Sequence, residues 1–264
     1  MSGPPEIVVC AGRDSLYERA ARRVAEAARA STAARGRFAV ALSGGSTPRP
    51  LFERLADPTR GQAVAWEIAH VFWADERCVP QDHEDSNYRL ANEALLEAVA
   101  IPPERVHRIH GEELDPEEAA ARYERELRET LSVPPRATPH LDLVLLGLGP
   151  DGHTASLFPD SEALDRADRL VVEVAASEPR MQPPVVERIT LTPRAINAAY
   201  EVLFLVTGEA KAPAVAAVLE GPREPARWPA QAIDPLEGRV SWLLDAAAAA
   251  KLAGLGEAVE SDPP

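Results

Sequence analysis

The sequence predicts an α/β fold in which helices cover both faces of a mostly parallel sheet. Short apolar, β-branched runs alternate with longer helical patterns along the 264 residues. Such alternation is typical of parallel sheets, because each crossover connection lays a helix against the sheet. Hydrophobic residues make up 45% of the chain, an ordinary share for a globular protein with a buried core. We expect a single domain spanning residues 1–264, with a frayed tail from about residue 257.

Nine apolar runs are predicted strands, and the segments between several of them have helical character. The strands are expected at residues 7–9, 38–42, 70–73, 106–109, 141–146, 170–174, 188–191, 202–206 and 240–244. Helices are expected at residues 15–34, 48–55, 86–99, 116–131, from 193, at 209–219 and from 245. Ser15 with Glu18 has the spacing of a capping box, and Thr192 followed by Pro193 is a typical helix start.

Three loops with chemically useful residues directly follow predicted strands. They begin after Leu42, Trp73 and Leu146. In open parallel sheets, ligands bind beyond the carboxyl ends of the strands. We therefore expect these three loops to form one site.

The charge balance excludes several classes of partner. The formal net charge is -14, and the isoelectric point is about 4.9. Nucleic acids and anionic membranes need a basic face, and no apolar run reaches the roughly 18 residues of a membrane span. The amino terminus lacks the pattern of a signal peptide, and two scattered cysteines are typical of free thiols. We expect a cytoplasmic protein that binds neither nucleic acid nor membrane.

The loop after Leu42 is a candidate anion site between a strand and a helix. Glycines allow a close approach of the backbone, hydroxyls add donors, and the N–H groups at a helix start attract anions. The loop is equally consistent with a turn that caps the helix. It lacks the spacing of a nucleotide P-loop, so ATP is not indicated. The candidate residues are Ser43, Gly44, Gly45, Ser46 and Thr47.

Asp151 and His153 flank Gly152 after the strongest predicted strand. An imidazole with a free pKa of about 6.5 is suited to taking a proton from water, and a nearby carboxylate can orient it. The alternative is that His153 caps a short helix at residues 154–157. The position at a strand end favours catalysis.

Other familiar chemistries are not supported. Gly147 and Gly149 resemble part of a dinucleotide fingerprint, but no acidic residue follows with the spacing of a ribose contact. The chain lacks an HExxH motif, paired cysteines and a G-x-S-x-G nucleophile elbow. We expect no cofactor and no metal ion.

Two cations stand out against this acidic background. Arg77 follows a predicted strand end and could bind a phosphate or a developing oxyanion, or simply pair with its acidic neighbours. Lys211 is one of two lysines in a chain with 28 Lys and Arg residues. It lies near a helix start, where a cation is unfavourable unless it meets an anion; the alternative is an ordinary surface lysine.

In this order, the loops resemble those of the 6-phosphogluconolactonase family, with similar segments from about residue 7 to residue 252. The third of the five segments is the most specific. The segments are residues 41–48 (ALSGGSTP), 75–88 with its DER and SNY sequences, 147–159 (GLGPDGHTASLFP), 188–192 (RITLT) and 207–211 (TGEAK).

The resemblance implies a Rossmann-like single domain, no cofactor, and hydrolysis of a phosphorylated sugar lactone in the oxidative pentose phosphate pathway. Glucosamine-6-phosphate deaminase shares a similar loop and Asp-Gly-His turn, but its second motif and the residues after the turn differ from this sequence. A deaminase-like isomerase and a non-enzymatic sugar-phosphate sensor remain the alternatives. The sequence leaves the oligomeric state open, with a monomer favoured.

A mechanism follows as a hypothesis. Residues 43–47, with Lys211 and Arg188, hold the phosphate, and His153 activates water with the support of Asp151. Arg77 or backbone N–H groups near the glycines stabilise the oxyanion. Those glycines are Gly147 and Gly149, and Gly152 is a further candidate for binding the substrate.

Overall fold

A computed structural model describes residues 4–60, 64–132, 137–178, 180–181 and 184–253. Within these ranges the chain forms nine strands and six α-helices. The strands are β1 (Glu6–Cys10), β2 (Phe38–Leu42), β3 (Ala69–Trp73), β4 (Asp75–Arg77), β5 (Leu143–Leu146), β6 (Val171–Val174), β7 (Arg188–Leu191), β8 (Glu201–Val206) and β9 (Arg239–Asp245). The helices are α1 (Arg13–Arg35), α2 (Arg49–Ala56), α3 (Asn87–Ala94), α4 (Pro116–Thr130), α5 (Pro193–Ile196) and α6 (Ala212–Leu219).

The larger sheet has six parallel strands in the order β1-β9-β8-β5-β2-β3. Its inner strands are apolar and almost fully buried, as expected when both faces are covered. Leu42 of β2 pairs with Trp73 of β3, so these strands end at the same level. The predicted α/β class with a mostly parallel sheet is confirmed.

A second sheet of three antiparallel strands, in the order β4-β7-β6, was not predicted as a separate unit. The segment Asp75–Arg77, expected as a loop after a strand end, forms β4 of this sheet. The chain leaves β3 at Ala74, whose carbonyl accepts a hydrogen bond from the N–H of Leu191 at 2.8 Å. Strand β4 is therefore paired with β7 immediately after the parallel sheet ends.

Helix α1 begins earlier than the sequence pattern predicted. Gly12 is its N-cap, and Ser15 occupies the third helical position. The Ser15 hydroxyl accepts a hydrogen bond from the Gly12 N–H at 3.2 Å and lies 3.0 Å from the Gly12 carbonyl. Ser15 therefore bonds back to the cap instead of being the cap. The predicted start at Thr192 and Pro193 is confirmed, because the Thr192 hydroxyl accepts from the Ala195 N–H.

Two further predictions about secondary structure were wrong. Residues 106–109 form no strand; Val106 makes only an isolated bridge to Val71. The alanine-rich stretch after Asp245 forms turns up to residue 251, closed by bonds such as Leu252 N–H to the Ala249 carbonyl. Hydrophobic periodicity alone does not distinguish such short apolar segments from true strands and helices. The tail expected to be frayed from residue 257 lies outside the described residues.

Cys10 and Cys78 form no disulfide within the described part of the chain, in agreement with the expectation. No helix among the described residues is long and apolar enough to cross a membrane.

A chain of polar side chains lies along the edge strand β3. Arg105 can only donate, so Nε2 of His70 accepts from it at 2.8 Å. Nδ1 of His70 then carries the proton and donates to Nε2 of His107 at 2.9 Å, and Nδ1 of His107 donates to Glu126 at 2.7 Å. Burial lowers the pKa of His70 to about 4, and the positive charge of Arg105 lowers it further. His70 is therefore neutral in this arrangement.

We expect this histidine chain to make the protein less stable in mild acid. The pKa of His70 falls from 6.5 to about 4 on folding, so between these pH values the unfolded chain binds more protons and protonation favours unfolding. His70→Gln keeps a hydrogen-bonding side chain without this titration. Urea unfolding at several pH values should show a steeper loss of free energy for the wild type than for the variant between pH 6.5 and pH 4. Parallel curves would contradict this assignment.

Candidate active site

The three predicted loops meet in one cleft at the carboxyl ends of the parallel strands. The cleft has a volume of about 230 Å³. Strands β2, β5 and β8 are neighbours in the sheet, and the segments after each of them line the cleft. Of the predicted site residues, those that line it are Ser43, Gly44, Gly45, Ser46, Thr47, Arg77, Gly147, Gly149, His153, Arg188 and Lys211. Asp151 and Gly152 are not among the lining residues.

The loop at residues 43–47 contacts β5 through Ser43 and the side chain of Asn87 through Gly44. The Ser43 hydroxyl donates to the Leu145 carbonyl of β5 at 2.6 Å. Gly45 has φ +91, a conformation that favours glycine. A Cβ at Gly44 would lie 1.6 Å from Oδ1 of Asn87, so only glycine fits there. The loop enters α2 through its N-cap, Pro48, where no side chain of the described residues makes a capping hydrogen bond, so the alternative of a capping turn is not supported.

The His153 turn joins an imidazole and a carboxylate. Oδ1 of Asp151 lies 2.6 Å from Nδ1 of His153. Burial raises the pKa of Asp151, but its hydrogen bonds and charge interaction with His153 outweigh this, so the pKa lies below the ordinary value. An ionised carboxylate can only accept, so Nδ1 carries a proton, and in the neutral imidazole the lone pair is on Nε2. The alternative role for His153 was wrong, because residues 154–157 form a short bridged turn and no helix.

Two glycines allow this pair to form. A Cβ at Gly149 would lie 2.0 Å from Nδ1 of His153 and 2.6 Å from Oδ1 of Asp151. Gly152 has φ +81 and turns the chain between the two side chains. The Gly149 N–H donates to the His153 carbonyl at 2.7 Å, so it is not free for an oxyanion, contrary to expectation. Both glycines therefore have a steric role that the sequence did not indicate.

Arg77 and Arg188 lie directly opposite each other on β4 and β7. Like charges in this position are destabilising unless other groups compensate them. The Arg77 guanidinium donates to the Asp85 carbonyl, and no carboxylate of the described residues lies within ion-pair distance of it. The expected alternative, pairing with its acidic neighbours, is therefore not seen in this part of the chain. Arg188 is 4% exposed, and burial lowers its pKa, although Asp75 opposes this.

Lys211 is in the position expected from the sequence. It is the residue before the first turn of α6 and lines the cleft. Burial lowers its pKa, and the carboxylate of Asp151 opposes this effect. Asp245 holds the preceding turn, because its two carboxylate oxygens accept from the Gly208 N–H at 3.0 and 3.1 Å. A partly buried lysine at a helix start is consistent with an anion ligand.

Asp75 and Asn87 also line the cleft, and sequence reasoning did not assign them to the site. Asp75 accepts a hydrogen bond from the Ser156 hydroxyl at 2.6 Å, and Nδ2 of Asn87 lies 3.3 Å from its other oxygen. Side chains at i and i+2 of a strand share a face. Once Asp75–Arg77 is known to be a strand, this periodicity places Asp75 beside Arg77 and Glu76 on the opposite face.

Arg180 does not line the cleft; its guanidinium lies 3.4 Å from the carboxylate of Asp160. In the described residues, no group of three or more His, Cys, Asp or Glu side chains is arranged to hold a metal ion.

Comparison with known proteins places this cleft in a family. The model of the glucosamine-6-phosphate isomerases/6-phosphogluconolactonase family matches residues 11–242. The chain belongs to this family. A 6-phosphogluconolactonase of a Nostoc species is 45% identical over 82% of this chain and 85% of its own length. One from a Synechocystis species is 43% identical over 91% and 95% of the two chains.

A solved structure supports the same relationship. The 6-phosphogluconolactonase from Trypanosoma brucei superposes with a TM-score of 0.81 at 35% identity, and the match covers 96% of this chain and all of that one. The family resemblance inferred from the five sequence segments is therefore confirmed.

The carboxylate of Glu76 caps the amino-terminal end of α3. One of its oxygens accepts from the backbone N–H groups of Arg77 and Asn87 at 2.8 and 2.7 Å. The other accepts from the N–H of Tyr88 at 2.8 Å. Burial raises the pKa of Glu76 to about 7, although these three N–H groups lower it. A negative charge at this point also interacts favourably with the helix dipole.

We expect Glu76→Ala to destabilise the protein by about 2 to 3 kcal/mol, because one buried and two partly buried N–H groups lose their acceptor. Glu93→Ala on the same helix is the matched control, since this carboxylate is 40% exposed and pairs only with surface arginines. It should cost less than about 1 kcal/mol. Urea unfolding of both variants compares them, and equal losses would contradict the capping role.

Proposed function

We propose that the protein hydrolyses 6-phosphoglucono-1,5-lactone to 6-phosphogluconate. The observation that carries this proposal is the pairing of a hydrogen-bonded His153–Asp151 couple with three cations in one cleft of an acidic protein. The relatives and the solved structure described above are 6-phosphogluconolactonases, which supports the same activity. The reaction is a lactone hydrolysis and belongs to the oxidative pentose phosphate pathway.

The cationic side of the cleft binds the 6-phosphate. Lys211 and Arg188 supply positive charge, and the backbone at residues 43–47 supplies N–H and hydroxyl donors. A dianionic phosphate compensates the repulsion between Arg188 and Arg77 on neighbouring strands. This arrangement explains how a protein with a net charge of -14 accepts an anionic substrate.

His153 acts as the general base through Nε2, because Nδ1 is engaged by Asp151. It takes a proton from a water molecule as the water oxygen bonds to C1 of the lactone. The carboxylate of Asp151 stabilises the imidazolium that forms. The imidazolium then returns the proton to the ring oxygen as its bond to C1 breaks, which leaves a carboxylic acid at C1 and a hydroxyl at C5. The acid ionises at neutral pH.

Arg77 stabilises the oxyanion that develops on the carbonyl oxygen. Its guanidinium is held at the cleft by the Asp85 carbonyl, on the same strand face as Asp75. A positioned donor of this kind acts most strongly where charge develops in the transition state. The Gly147 backbone lines the cleft nearby and is a second candidate for this role.

The deaminase and sensor alternatives are less favoured. The curated relatives at 43 to 45% identity are lactonases, and a sensor needs no oriented imidazole. A cytoplasmic location and a monomeric state, both expected from the sequence, stay predictions.

The decisive test is the rate of lactone hydrolysis above the spontaneous rate. We expect wild-type activity and a loss of about 10²- to 10⁴-fold in kcat for His153→Ala, with a smaller effect on KM. His140→Ala is the control, because this exposed imidazole stacks on Tyr200 and does not line the cleft. Full activity of His153→Ala would show that another group is the general base. An inactive wild type that releases ammonia from glucosamine 6-phosphate would support the deaminase alternative.

Lys211→Ala should mainly raise KM, because the phosphate is bound equally in the ground and transition states. Loss of a charge-assisted contact of about 1.5 to 3 kcal/mol corresponds to a rise of roughly 10- to 100-fold. Lys251→Ala removes the other lysine, which is exposed and does not line the cleft, and should leave KM unchanged. Equal KM values for both variants would show that Lys211 does not bind the phosphate.

A further inference from the structure

Trp228 packs directly against the backbone of Gly152, the residue between Asp151 and His153. A Cβ built on Gly152 would lie 2.6 Å from ring atom Cε3 of Trp228 and 3.3 Å from the backbone Cα of Trp228. Trp228 is only partly buried and is not among the residues that line the cleft. It therefore touches the Asp-Gly-His turn from outside the substrate site.

Hydrogen bonds attach the same segment to the turn. The N–H of Ala230 donates to the Gly152 carbonyl at 3.0 Å. Beyond the turn, the N–H of Asp160 donates to the Ala226 carbonyl at 2.7 Å. We call residues 224–231 the covering segment. Its contacts on both sides of Trp228 hold the indole ring in place against Gly152.

Hydrogen bonds within the turn close its backbone. The Gly149 N–H donates to the His153 carbonyl at 2.7 Å, the Gly152 N–H to the Gly149 carbonyl at 3.0 Å, and the His153 N–H to Oδ1 of Asp151 at 3.3 Å. The turn is not part of a helix or strand, and Gly152 has φ +81. A glycine in such a turn has many accessible conformations unless packing restricts it. The Asp151–His153 hydrogen bond needs one of these conformations.

The covering segment is in turn fixed to α6, the helix that begins after Lys211. The Gln231 side chain, 8% exposed, donates to the carbonyls of Ala217 and Pro222 at 3.1 and 3.0 Å. Its oxygen accepts from the Glu224 N–H at 2.6 Å. The covering segment therefore contacts both α6, which follows Lys211, and the turn that carries His153.

We propose that Trp228 is a positioning residue, which holds the Gly152 turn so that His153 stays aligned with Asp151 and with the attacking water. The proposal rests on the proposed function for its kinetic consequence, but the alignment of the two side chains is a property of the free protein. A displacement of about 1 Å at a catalytic group can lower the rate roughly 100-fold.

The test compares Trp228→Ala with Trp228→Phe, which keeps a six-membered ring against Gly152. Two quantities are measured: the kinetic constants for the lactone, and the downfield proton resonance of His153 Nδ1–H in the substrate-free protein, assigned by its loss in His153→Ala. For Trp228→Ala we expect kcat to fall roughly 10- to 100-fold, KM to change less than about threefold, and the resonance to broaden or disappear. Trp228→Phe should restore both quantities to near wild-type values.

The proposal is overturned if Trp228→Ala keeps the sharp resonance, or if Trp228→Phe is as impaired as the alanine variant. Should Trp228→Ala fail to fold, Trp228→Leu replaces it under the same criteria. The resonance is recorded without substrate, so a wild type with no lactonase activity would refute the proposed function while the resonance still decides the role of Trp228.

Discussion

The geometry of the site depends on the hydrogen bonds that the buried carboxylate of Asp75 accepts. One oxygen accepts from the Ser156 hydroxyl, in the segment that follows the His153 turn. The other lies 3.3 Å from the amide of Asn87, whose side chain packs against Gly44 of the first loop. A single side chain thus connects the candidate base, the candidate phosphate loop and the antiparallel sheet. Because Asp75 is only 5% exposed, each of these hydrogen bonds restricts its neighbours strongly.

The two sheets contribute different chemistry to the same cleft. The parallel sheet ends in loops that carry hydroxyls, glycines and the imidazole, whereas the small antiparallel sheet presents two arginines from adjacent strands. Alternation along β4 directs Asp75 and Arg77 to the cleft and Glu76 to the start of α3. One tripeptide therefore supplies a connecting carboxylate, a cation at the cleft, and a helix cap.

The arginines and the lysine of the cleft differ from the surface arginines in their electrostatic environment. Outside the cleft most arginines pair with the numerous carboxylates of the surface, so they offer little attraction to a small anion. Inside it, Arg77, Arg188 and Lys211 lie in partly or fully buried positions, where water screens them less.

Much of the architecture follows from local sequence patterns. Apolar runs of strand length, the helical segments between them, and glycine loops at strand ends predicted the parallel sheet and the location of the cleft, because periodicity and turn chemistry are local properties. His153, Asp151 and Lys211 were identified for the same reason: each lies a few residues beyond a strand whose end the pattern indicates. The pairing of β4 with β7, the hydrogen bond between Asp75 and Ser156, and the support from Trp228 depend on contacts between residues 76 to 115 positions apart. The steric roles of Gly149 and Gly152 depend on the exact path of a turn. Such contacts arise only when the folded chain brings those segments together, so no local pattern in the sequence could indicate them.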